Sequence, residues 1–156
     1  MTERPGPLGV MMYEYQRATE DFSQVIREMN PSMYDAPLNL NAGDSELVSI
    51  GDIVLHVVGS AFSYACYARE AFGMEFKRWG DKPVAQADVP DVLRRMIEYT
   101  YVSLDGKWDL TGEEVEEIRT PVRWNTDYNL EILLEHAIVH ILRHRRQIER
   151  LLLQSS

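Results

Sequence analysis

The residues of this 156-residue chain best placed to do chemistry are three histidines: His56, His140 and His144. His140 and His144 stand four apart in the run Val139-His140-Ile141-Leu142-Arg143-His144. On a helix that spacing puts two imidazoles on one face, one turn apart. A divalent ion can bridge such a pair. A third imidazole from another element would complete a three-nitrogen site with one position left open, the arrangement of a catalytic rather than a structural metal.

Several elements must position these groups, and the apolar spacing predicts four long helices. The first covers about Gly9 to Met29, with Val10, Met11, Tyr15, Ala18, Phe22, Val25, Ile26 and Met29 at intervals of three and four. Asn30-Pro31 ends it. The second opens near Asp44 or Ser45, runs through Leu47, Ile50, Val54, Val57, Val58, Ala61, Phe62 and Ala65, and stops at Gly73. Lys77 to Asp88 reads as a loop. A third helix starts at Asp88 or Pro90 and fades near Gly106. Thr111 to Ile118 reads as a short acidic helix, and Thr120 to Trp124 as extended chain before Pro121 and beyond. Asn129 or Asp127 caps the last helix, Leu130 to about Leu153. With no convincing set of strands, the expected fold is all-α, a four-helix bundle, in a single domain over residues 1–156.

Helical geometry separates the histidines of the last helix. The stripe Leu130, Leu134, Ala137, Ile141, Ile148 and Leu152 fixes its inward direction. His144 lies about 60° from that direction, His140 about 100° and His136 about 140°. His144 is therefore expected inside, His140 at the edge and His136 in solvent. His56 shares a face with Asp52, Gly59, Ser60 and Ser63, all small or polar. Such a face lines a cavity or lies against water, and the wheel does not choose. Asp52, Glu131, Glu135 and Asp127 are candidate acceptors for ring nitrogens, with a solvated carboxylate the simpler reading of each. Tyr13, Tyr15, Tyr64, Tyr67, Trp79 and Trp124 are candidate pocket walls or core. The loops Phe76–Asp88 and Asp109–Tyr128 are expected at the pocket mouth.

Composition narrows the function classes. A net charge of −9 argues against nucleic-acid binding, which needs a basic patch. No uninterrupted apolar run reaches the roughly 18 residues of a membrane span, and the N-terminus lacks the pattern of a signal peptide. One cysteine, Cys66, precludes an intrachain disulfide and reads as a small buried residue. A cytoplasmic protein is the expectation. The second helix is apolar on more than one side, which suggests a homodimer.

His140-Ile-Leu-Arg-His144-Arg145-Arg146-Gln147-Ile148 resembles the final-helix motif of the DinB superfamily, His-x-x-x-His-Arg-Gly-Gln-Ile, with Arg146 in place of the usual glycine. Ser49-Ile-Gly-Asp-Ile-Val-Leu-His56 resembles that family's second-helix stretch Ile-Gly-x-Leu-x-x-His. The order and separation of the two motifs also fit. The resemblance implies a helical bundle of the DinB/YfiT-like type and a divalent metal, zinc or nickel, on His56, His140 and His144. It also implies a small-molecule substrate, with a low-molecular-weight thiol as partner. Relatives include thiol S-transferases and mycothiol-dependent isomerases. Three functions stay open at this point: a metal-dependent thiol transferase or hydrolase, a non-catalytic dimeric bundle with a binding or stress-response role, and a plain helical interaction domain with no metal. Gln147 is expected to hydrogen-bond between helices.

Overall fold

The structure is a computed structural model that describes residues 4–38, 48–80 and 82–154. Its elements are α1 (Gly6–Glu28), α2 (Ile50–Ala71), α3 (Val89–Ser103), the short α4 (Gly112–Glu117), a hairpin of β1 (Arg119–Val122) and β2 (Thr126–Asn129), and α5 (Leu130–Gln154). The protein is mostly helical with one small sheet.

Local chemistry sets most of the boundaries. Pro7 sits in the first turn of α1, where its missing N–H costs nothing, so the helix begins three residues earlier than the periodicity suggests. The N-cap of α2 is Ser49, whose hydroxyl accepts the Asp52 N–H at 3.0 Å. The expected start near Asp44 or Ser45 lies outside the described residues. Thr111 and Glu114 form a reciprocal capping box at α4. The Asn129 side chain accepts the Ile132 N–H at 2.8 Å and opens α5.

The long helices pack in a ring, α1 on α5, α5 on α2, α2 on α3 and α3 on α1. Arg145 on α5 pairs with Asp21 on α1, and Gly6 lies against the Trp108 carbonyl close to the start of α4, so α1 and α5 run parallel. His56 meets His140 and His144 while Tyr64 meets His136, so α2 runs antiparallel to α5. Leu8, Phe22, Ile26, Ile53, Leu93 and Leu133 are among the buried side chains of a single core between them. Burying each such side chain contributes about 1.5–3 kcal/mol.

One expectation changes here. The absence of strands gives way to a hairpin that pairs Thr120 with Tyr128 and Val122 with Thr126. Its turn is closed by Asn125 at φ 56°, a left-handed conformation that asparagine tolerates better than most residues. The apolar excess of α2 is also consumed within one chain. Long and apolar enough to cross a membrane by length and mean hydropathy, α2 is instead covered by α3, α5 and β1. Packing within one chain thus accounts for most of its apolar surface.

Candidate metal centre

The antiparallel packing of α2 on α5 brings together side chains 84 residues apart in sequence. His56 Nε2 and His140 Nε2 stand 3.1 Å apart. The rings of His140 and His144 are 4.5 Å apart between centroids, and that of His56 is 5.0 Å from each. One nitrogen from each of the three lies within 4.8 Å of the others. Two nitrogens on a tetrahedral zinc ion, each bonded at about 2.0–2.1 Å, stand about 3.3 Å apart. The His56–His140 separation is close to that value, so the residues fit the group the resemblance implies.

The protonation states fit as well. Burial, reinforced by His144, His56, His136 and Arg143, pushes His140 down to about 3. Burial first, then His144, Arg123 and Arg143, lowers His56. Burial lowers His144, opposed by its bond to Gln147. Neutral imidazole is the ligand form. His144 Nδ1 faces the Gln147 amide oxygen at 2.8 Å. An amide oxygen only accepts, so Nδ1 carries the proton and Nε2 is left bare. Gln147 thus acts along its own helix, on the ring of a candidate ligand, and not between helices as the sequence suggested.

The wheel placed two of the three α5 histidines correctly. His144 is buried and His140 half-buried. His136 is not in open solvent. The hairpin folds back over the first turns of α5, so that Trp124 stacks on His136 at 5.4 Å and 19°, and the Tyr128 hydroxyl lies 3.2 Å from His136 Nδ1. A wheel drawn for one helix cannot register a neighbour that covers its polar side.

A cavity of about 520 Å³ opens beside His56. The small, polar face of α2 lines it, through Asp52, Gly59, Ser60 and Ser63. Of the candidate aromatics, Tyr64, Tyr67, Trp79 and Trp124 reach it, whereas Tyr15 is core and Tyr13 is exposed. Both expected loops contribute: Arg78 and Trp79 from one, Arg123 and Trp124 from the other. Asp52 does not serve a ring nitrogen but takes the Ser49 hydroxyl at 2.8 Å. Glu135 and Asp127 are exposed and Glu131 half-exposed, as solvated carboxylates. Cys66 is buried, and burial raises its thiol, which favours the neutral form over the thiolate. Arg146, which replaces the motif's glycine, points outward to Glu149 at 3.6 Å and leaves the histidines untouched.

The fold is of the DinB/YfiT-like kind. The chain is similar to the crystal structure of the mycothiol-dependent maleylpyruvate isomerase, with a TM-score of 0.57 and 16% identity over 91% of this chain. A histidine-to-alanine variant of that enzyme is similar at a TM-score of 0.53 and the same identity. The chain spans 60% of the length of either. No family model matches the sequence, and no curated protein does.

Proposed function

We propose that this chain is a metal-dependent enzyme of small-molecule thiol chemistry, built as a four-helix bundle, in which His56, His140 and His144 hold zinc or nickel. The observation that carries the reading is the convergence of three neutral imidazoles from two helices, one of which, His56, lines an open cavity. The similarity to a mycothiol-dependent isomerase supports a low-molecular-weight thiol as co-substrate. The bound ion would supply Lewis acidity, lowering the pKa of a thiol at its open position.

The chain's own residues do the rest. Gln147 holds the His144 proton on Nδ1 and turns Nε2 inward. Buried side chains of α2 and α5 fix both helices, so the three rings are positioned before any ligand arrives. Among the described residues lining the cavity, no carboxylate except Asp52 competes for a cation.

Elemental analysis of wild type and His144→Ala tests the site. Near-stoichiometric zinc or nickel, lost in the variant, is the expected result; no metal in reconstituted wild type would overturn it. Cobalt-substituted protein tests the thiol. A sulfur-to-cobalt charge-transfer band on adding a low-molecular-weight thiol is expected, and an unchanged spectrum would remove thiol chemistry from the reading.

A further inference from the structure

We infer that the cavity beside His56 takes a flat organic anion, an aryl carboxylate, gripped by Arg123 and Arg78. This rests on the proposed function only in treating that cavity as the substrate chamber. The chain carries a net charge of −9, yet the chamber lining holds two arginines against one carboxylate. That carboxylate, Asp52, is already turned to Ser49.

Arg17, Arg94, Arg145 and Arg146 are paired with carboxylates of α1, α3 or α5, whereas Arg78 and Arg123 are the arginines that line the cavity. Among the described residues, neither Arg78 nor Arg123 pairs with an acid. An unpaired guanidinium fork matches a carboxylate through two parallel hydrogen bonds.

The walls select for flatness. The Arg123 guanidinium lies 5.0 Å from the Trp124 ring, which is itself stacked on His136 and Tyr128. Trp79, also on the lining, is stacked on Phe62 at 4.5 Å and 12°. The Arg123 backbone N–H donates to the Tyr67 hydroxyl at 3.2 Å, tying the hairpin backbone to α2 beside the cavity. Ser60, one turn beyond His56, offers a hydroxyl on the same lining. A lining that holds two indoles and two guanidinium groups fits a ring bearing a negative charge better than an inorganic anion, which would leave the aromatic surfaces wet.

Calorimetry with 1-naphthoate, its neutral isostere 1-naphthamide, and inorganic phosphate tests this on the full chain, both zinc-loaded and chelator-treated. Naphthoate is expected to bind in both forms, at least about 10-fold more tightly than naphthamide or phosphate. Arg123→Gln and Arg78→Gln should each weaken naphthoate about 10-fold and leave naphthamide unchanged. Both side chains are exposed, so neither variant threatens the fold. Equal binding of naphthoate and naphthamide would overturn the inference. So would naphthoate binding that survives both arginine variants and disappears with the metal, because the ion would then be the carboxylate's partner. If the protein holds no metal and the arginine dependence remains, the inference stands and the metal reading fails.

Discussion

Replacing Gln147 with leucine removes the acceptor for His144 Nδ1–H while keeping similar bulk. The bond spans 2.8 Å within one turn of α5, and Gln147 is only half-buried. A neutral hydrogen bond contributes about 1 kcal/mol net, and losing the partner that orients a ligating imidazole costs about 10–100-fold in metal affinity. Water reaches a half-buried site and takes over part of the lost bond, which places the effect at the lower end. Gln147→Leu should therefore weaken zinc about 10-fold, or about 1.4 kcal/mol. Competition against a chromogenic chelator measures it, with His144→Ala as the floor and Gln147→Glu expected to restore or strengthen binding. Thermal melts should show the variant folded, since a half-exposed position tolerates leucine. Zinc affinity within about twofold of wild type in Gln147→Leu would refute the reasoning, because the ring would then be held by packing alone.

Two further outcomes follow from the same structure. His140 is held down to about 3, and His56 and His144 are also lowered, against an unfolded value of 6.5. The unfolded chain therefore binds more protons below about pH 6.5, so metal-free protein should keep its full stability above that pH and lose it progressively towards about pH 3; a urea midpoint unchanged between about pH 8 and 5 would contradict this. In α5, Leu133 is fully buried and its neighbour Ile132 is 44% exposed. Leu133→Ala should cost about 2–5 kcal/mol and Ile132→Ala under about 1 kcal/mol by denaturant unfolding, and comparable costs would mean that α5 is rotated from the orientation that directs His140 and His144 inward.

What the sequence disclosed follows from which signals are local. Repeats of three and four marked all the long helices, because each must turn an apolar stripe to the core. The spacing of His140 and His144 needed only the helical pitch, and the wheel ranked their burial correctly. The hairpin escaped because each strand has four residues, too few for alternation to register, and β1 contains Pro121. Its signal was Asn125, one of the few residues at ease with a positive φ. The error about His136 followed from that omission, since the element covering it had not been seen. The polar face of α2 was recognised, but only the packed structure could decide that it lines a cavity.

The hairpin divides labour in a way that bears on how such a protein changes over time. The three histidines sit on α2 and α5, whose side chains are locked into the core and tolerate little alteration. Arg123 and Trp124 sit at the tip of a ribbon held by short-range pairing and by contacts with Tyr67 on α2 and His136 on α5. Substitutions, insertions or wholesale exchange of those few residues can reshape what the chamber accepts without disturbing the imidazoles below it. If the proposed function holds, selection can thus explore new substrates in the ribbon while the imidazole cluster is inherited intact.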